Sequence, residues 1–229
     1  LALSIPILQP VVLAFGSLVA AVGSYLDARA HGGEWLVRIE DLDTLRTVPG
    51  AADDILRTLT TFGFEWDGEV VYQSTRADLY RAALEALRAQ NLIYPCACSR
   101  KEMADSSIIG IDGLVYPGTC RAGIHDSRKT ARAWRLRTQK NIKIFNDLCR
   151  SDIAQNIAWE IGDFVMWRVD GLASYQLAVV VDDAAQGIVG GELRDGGAQV
   201  APHRDRQRIE LVGTVQHDRR DRPVATDGD

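Results

Sequence analysis

No charged residue occurs between Leu1 and Leu26. A run of that length with only apolar and uncharged polar side chains belongs in an interior: under other elements, in a membrane, or in a removed export segment. Pro6, Pro10, Gly16 and Gly23 interrupt the run, and no basic segment precedes it. These features favour a short buried strand over Leu1–Ile5, a Pro-broken loop, and a helix beginning near Gly16. A membrane or export segment is the alternative reading.

The helix-compatible run Gly16–Gly33 ends in two glycines suited to a C-terminal cap. Glu34–Ile39 then reads as a strand with large apolar residues on both faces, as buried parallel strands have. It runs straight into Glu40-Asp41-Leu42-Asp43. Pro49 and Gly50 open a second helix with Ile55, Leu56, Leu59 and Phe62 on one face and Gly63 as its stop. Thr75-x-x-Asp78 has the form of a capping box for a third helix, with Leu79, Ala83, Leu84 and Leu87 as its apolar stripe. Strand–helix–strand–helix order predicts an α/β domain with a largely parallel sheet. Leu177–Val181, a continuous apolar run, reads as another buried strand delivering Asp182 and Asp183 at its exit. After Gly187 periodicity fades, and residues 196–229 read as a poorly ordered tail.

With 46% hydrophobic and 25% charged residues, the 229-residue chain has the composition of a globular domain with room for a small insertion. Its net charge of -5 argues against coating nucleic acid by bulk electrostatics. Local contact remains open through Arg128, Lys129, Arg132, Arg135, Arg137, Lys140 and Lys143, a basic stretch whose other reading is a solvated face.

Four cysteines are too few for a disulfide scaffold. Three of them, Cys96, Cys98 and Cys120, lie in a Gly/Pro-rich stretch with little core of its own. Three thiolates plus one further ligand suit a structural zinc ion, which holds together what hydrophobic burial cannot. Chemistry makes His125 the conventional fourth ligand and Tyr116 the unconventional one. Cys149 reads as a small buried hydrophobe. The acidic turn at Glu40–Asp43 is either ligand-directed, being at a strand's carboxyl end, or solvated and paired with Arg38 or Arg46. Tyr175 offers a hydroxyl to a pocket or is simply packed.

Several blocks carry a resemblance. GSLVAAVGSYLDARAHGGEWLVRIEDLD, PGAADDILRTLTTFGFEWDGEVVYQS, YPCACSRKE with YPGTCR, and SYQLAVVVDDAAQGI stand in one order between Phe15 and Gly187. They resemble the class I glutamyl-tRNA synthetases, above all the short glutamyl-queuosine tRNA(Asp) synthetase family. The resemblance implies a Rossmann-like catalytic domain (residues 1–95 and 133–195), a zinc-bearing insertion (96–132) and no anticodon-binding domain. It also implies a cytoplasmic enzyme that activates glutamate with ATP and Mg²⁺ and transfers the glutamyl group to queuosine at the wobble position of tRNA(Asp). By the same resemblance Glu40, Tyr175 and Ser4 bind glutamate, with SYQLAVVVDDAAQGI as a second glutamate-binding strand. Gly16 belongs to the nucleotide-binding segment, and Cys96, Cys98, Tyr116 and Cys120 are the zinc ligands.

The departures are equally specific. The family's His-Phe-Gly-Ser is here Ala14-Phe15-Gly16-Ser17, which leaves no catalytic histidine. The arginine of the family's opening segment is missing from Leu1–Ile5, and the later Val-Arg-Gly-Ala-Asp is replaced by Val189-Gly190-Gly191-Glu192-Leu193. No lysine-containing KMSKS-like loop follows. Losing a donor that acts in the transition state costs about 10²–10³ in rate, so an impaired enzyme is expected. The alternative is a zinc-binding domain without catalysis.

Overall fold

In the computed structural model, residues 2–6, 15–43, 47–106, 108–110, 113–147, 151–188 and 193–195 are described. The alternation at the start of the chain builds a parallel sheet. Strand β1 (Ala2–Pro6) pairs with β2 (Leu36–Glu40), and β2 pairs with β3 (Val71–Tyr72), in the order β1-β2-β3. Helix α1 (Phe15–Ala30) connects the first pair and α2 (Ala51–Thr61) the second. Gly32 and Gly63, with φ of 63° and 80°, take the left-handed conformation that ends each helix.

Trp35, Val37 and Ile39 alternate into one core with Ala21 and Ala28 of α1 and Ile55 and Leu59 of α2. Tyr25 meets Trp35 and Phe64 edge-on at 5.3 and 5.2 Å, and the Trp35 indole donates to Ser24 Oγ at 3.0 Å. Phe62, expected on the buried face of α2, is 62% exposed just past its last turn.

A 3₁₀ turn (Gln73–Arg76) leads into α3 (Ala77–Ala89). The capping box expected at Thr75 does not form: Thr75 Oγ1 donates back to the Tyr72 carbonyl at 2.8 Å, and no side chain caps α3. Ala83, Leu84 and Leu87 of the expected stripe pack inward, joined by Tyr80, while Leu79 is exposed.

Beyond α3 the sheets are antiparallel, which corrects the expectation of a largely parallel architecture. β4 (Ile93–Cys96) is followed by α4 (Arg100–Ser106), the hairpin β5 (Ile108–Gly110) and β6 (Gly113–Val115), and β7 (Ala133–Leu136). β7 returns antiparallel to β4 with Ala133 opposite Cys96, so the chain leaves and re-enters at one point. β8 (Lys143–Asp147) and β9 (Ser151–Gln155) form a second antiparallel pair, followed by the single-turn α5 (Ile157–Glu160). β10 (Val165–Trp167) completes the order β10-β7-β4.

Residues Tyr175–Ala185 form a helix, α6, where the apolar run predicts a strand. Ser174 caps it, its Oγ accepting from the Leu177 amide at 3.3 Å. Helical spacing puts Leu177, Ala178 and Asp182 on the buried face, whereas Val180 on the opposite face is 67% exposed. A last short strand, β11 (Leu193–Asp195), pairs antiparallel with β8. Ala14, Arg46, Cys149, Val189–Glu192 and the tail 196–229 lie outside the described residues. Among the described residues no helix is long and apolar enough to cross a membrane.

Candidate active site and cysteine cluster

Glu40 ends β2, half-buried, at the carboxyl edge of the parallel sheet, where open α/β folds bind ligands. Ser4 lies on the neighbouring strand with its backbone opposite Arg38, and Pro6 lies opposite Glu40. Tyr175 starts α6. Burial, then the charge of Glu40, raises its phenol above the ordinary value, with Arg38 opposing and Asp183 adding. The two groups singled out from distant parts of the sequence therefore share one electrostatic neighbourhood, and the phenol stays protonated at neutral pH. Gly16 sits exposed in the first turn of α1 with open space where a Cβ would project.

The remaining acids of this region are structural. Asp41 accepts from the Ser74 amide at 2.8 Å and the Ser74 hydroxyl at 2.6 Å, and Asp43 accepts from Arg168 at 3.1 Å. Arg38, a suggested partner for this turn, points elsewhere: it donates to Asp183 at 2.7 Å and to Gln186 at 2.9 Å on α6. Asp182 is fully buried and accepts from Gln73 at 2.8 Å, Arg76 at 2.6 Å and Tyr80 at 2.8 Å. The acidic pair bolts α6 to β2 and α3. This network places Tyr175 relative to Glu40. Sequence reasoning missed Gln73, Arg76 and Tyr80, whose only signal is a polar interruption of an otherwise ordinary helix start.

The cysteines converge. Cys96, Cys98 and Cys120 bring their sulfur atoms within 4.8 Å of one another. Tyr116 Oη lies 3.4 Å from Cys96 Sγ and 3.3 Å from Cys98 Sγ, and accepts from the Cys120 amide at 2.9 Å. His125 is exposed and is not in this group. Tyr116 is held by a parallel bridge to Gly162, whose φ is 76°; a Cβ there would meet Val115 Cγ1 at 2.7 Å and the Tyr116 backbone at 3.2 Å.

Arg135, counted in the basic stretch, is buried: its Nε donates to Cys96 Sγ at 3.3 Å, and its guanidinium stacks 3.9 Å over the Tyr116 ring. Arg128 pairs with Asp126, Lys129 with Glu102, and Arg137 caps the Arg121 carbonyl. Much of the stretch therefore organises the insertion. Burial alone would raise the Cys96 thiol, but hydrogen bonds with Tyr116, the Cys98 backbone and Arg135 hold it below the ordinary value; burial pushes Cys98 up to about 11. Beneath the cluster, buried Asp163 accepts from Tyr94 at 2.7 Å, Arg121 at 3.0 Å and Thr138 at 2.6 Å, tying the excursion to β4 and β7.

A family model described as tRNA synthetases class I (E and Q), catalytic domain, matches residues 12–191. This chain belongs to that family. Among its relatives, a protein of Dechloromonas aromatica named Glutamyl-Q tRNA(Asp) synthetase is 63% identical over 178 residues, covering 77% of this chain and 59% of the relative. Proteins of the same name from Chromobacterium violaceum and Burkholderia cenocepacia are 61% and 56% identical, covering 58% and 65% of those relatives. This class I family chain thus spans about three-fifths of the length of the relatives it matches. A glutamate tRNA ligase of Elizabethkingia meningosepticum, solved in complex with its amino acid, matches with a TM-score of 0.68 at 22% identity. It covers 82% of this chain and 42% of its own, and the likeness establishes the α/β fold.

Proposed function

We propose that this chain carries the glutamate-activating part of an enzyme that condenses glutamate with ATP and transfers the glutamyl group to queuosine in tRNA(Asp). The observation that carries the reading is the 63% identity to a relative of that name. In the first step the glutamate carboxylate attacks the α-phosphorus of Mg²⁺-bound ATP and pyrophosphate leaves. In the second the glutamyl group passes to queuosine and AMP leaves.

Glu40 supplies the negative charge for the substrate ammonium, an ion pair that gains strength at a half-buried strand end. The protonated Tyr175 phenol donates to an oxygen of the same substrate, and the family resemblance assigns Ser4 to glutamate and Gly16 to the nucleotide. Residues 1–95 and 133–195 act as the catalytic domain, with 96–132 as the insertion, in the cytoplasm.

The insertion is read as a structural zinc site with Cys96, Cys98, Tyr116 and Cys120 as ligands. Zn–S bonds of about 2.3 Å on a tetrahedron require sulfurs roughly 3.8 Å apart. Cys98 and Cys120 stand at 3.6 Å, close to that spacing. Arg135 donating to Cys96 Sγ is the kind of outer contact that fixes a thiolate ligand. Bound zinc would supply cross-linking of the insertion and no step of the reaction.

The test is glutamate-dependent exchange of pyrophosphate into ATP, then transfer of labelled glutamate to tRNA(Asp) with and without queuosine. Label on queuosine-containing tRNA(Asp) alone is expected. Exchange that does not require glutamate overturns the activation step, and labelling of tRNA that lacks queuosine overturns the acceptor.

A further inference from the structure

Among the described residues, Arg135 is a buried cation that no carboxylate pairs with. It is 5% exposed on β7, and each part of its guanidinium has a different partner. Nε donates to Cys96 Sγ at 3.3 Å, Nη1 to the Asp163 carbonyl at 2.7 Å and Nη2 to Met103 Sδ at 2.9 Å. The Asp163 carboxylate beside it is taken by Arg121 at 3.0 Å, Tyr94 at 2.7 Å and Thr138 at 2.6 Å. A charge so deeply buried is strongly unfavourable unless a counter-charge faces it.

What faces Arg135 is sulfur. The three cysteine sulfurs lie within 4.8 Å of one another, and Cys96, which accepts from Nε, is 1% exposed. Met103 packs against the same cluster. Thiols that ligate a metal are deprotonated, so three thiolates around a divalent ion leave one net negative charge in the interior. One guanidinium cancels it. The same planar group lies 3.9 Å over the Tyr116 ring, whose Oη stands 3.4 Å from Cys96 Sγ and 3.3 Å from Cys98 Sγ. A lysine would supply the charge, but neither the stacking nor donors in fixed directions.

We propose that Arg135 is the positioning residue of the cysteine cluster: its charge neutralises the loaded site, and its plane seats Tyr116 against the sulfurs. The cage is then three cysteines, a tyrosine and an arginine, and the arginine sets how tightly the ion is held although it is not a ligand. This role rests on the zinc reading and extends it to a group outside the ligand set. It is independent of the glutamate site.

The experiment measures zinc affinity by chelator competition on the full chain, unsubstituted and as R135K, R135M and R88M, with circular dichroism to follow folding. Arg88 stacks 5.1 Å over Trp134, the preceding residue of β7, and R88M is the control. R135M should hold zinc about a hundredfold less tightly and R135K about tenfold less tightly, with R88M unchanged. Cobalt(II) loaded in place of zinc adds a signature that lost packing alone would not give. Without the Nε donor, the sulfur-to-cobalt charge-transfer band of R135K and R135M should move to longer wavelength. Full affinity in R135M, an unmoved band, or an equal loss in R88M overturns the role of Arg135 while the zinc site stands. R135K that binds as tightly as the unsubstituted chain overturns the seating of Tyr116. An unsubstituted chain that binds no zinc removes the zinc reading, and this role with it. If neither Arg135 variant folds, the unsubstituted chain decides: loaded with cadmium-113, it should show coupling between the metal and the Arg135 Nε proton across Cys96 Sγ, and no coupling sinks the idea.

Discussion

The hydroxyl of Tyr80 on α3 donates to the carboxylate of Asp182 on α6 at 2.8 Å, across 102 residues of sequence and with both side chains fully buried. Asp182 also accepts from Arg76 and Gln73, so one carboxylate joins the third helix, the turn before it and the helix that carries Tyr175. The position of Tyr175 relative to Glu40 depends on this joint.

Replacing Asp182 with Ala leaves Arg76 facing a buried gap without its counter-charge, and leaves Arg38 with Asp183 alone. Removing one partner of a buried pair costs about 3 kcal/mol or more. For a chain of this size the thermal midpoint should fall by roughly 10 °C. Calorimetry or a urea titration checks this, and an unchanged midpoint would show that the network carries no stability.

Alkaline pH should act on the same joint. Burial, then the hydrogen bond to Asp182, raises the Tyr80 phenol well above its ordinary 10.0. A folded value above the unfolded one means that stability is fully present below pH 10 and is lost as pH rises toward the folded value. Y80F should flatten that loss above pH 10 and remove one late-titrating phenol from the tyrosinate absorbance. If the late phase keeps its amplitude, the assignment to Tyr80 is wrong.

Gly162 is the tight point behind Tyr116. G162A forces a Cβ to 2.7 Å from Val115 Cγ1 and 3.2 Å from the Tyr116 backbone at φ 76°, so the segment that carries Tyr116 must give way. Purified protein should hold about one zinc per chain, lose it when Cys96 and Cys98 both become Ser, and retain it about tenfold less tightly in G162A. Folded protein free of metal in every preparation would remove the zinc assignment.

Position 14 carries alanine where the family resemblance leads one to expect histidine. Restoring it with A14H should raise glutamate-dependent pyrophosphate exchange by about 10²–10³ if the imidazole alone limits the rate. A rise in exchange without change in the glutamate KM would locate the effect in the transition state. No rise would point to the other departures, at Leu1–Ile5 and Val189–Leu193.

Local signals sufficed for part of the molecule. The glycine stops at Gly32 and Gly63, the apolar Trp35–Ile39 run and the 3.6-residue apolar period of Ile55 and Leu59 fixed β2, α1 and α2, because each depends on neighbours within one turn or strand. The clustering of Cys96, Cys98 and Cys120 was readable for the same reason: a segment with little core must be held by something else.

Other features were decided only when distant residues met. Leu177–Val181 is apolar throughout, and such a run satisfies a buried strand and a buried helix alike. What selects the helix is the Ser174 cap together with Asp182, which needs an interior position facing Gln73, Arg76 and Tyr80. Arg38 and Arg135 read as surface charges yet are buried, because their counter-groups, Asp183 and the Cys96 sulfur, come from 145 and 39 residues away. A charge can be buried only beside a partner, and periodicity carries no information about a partner that far along the chain.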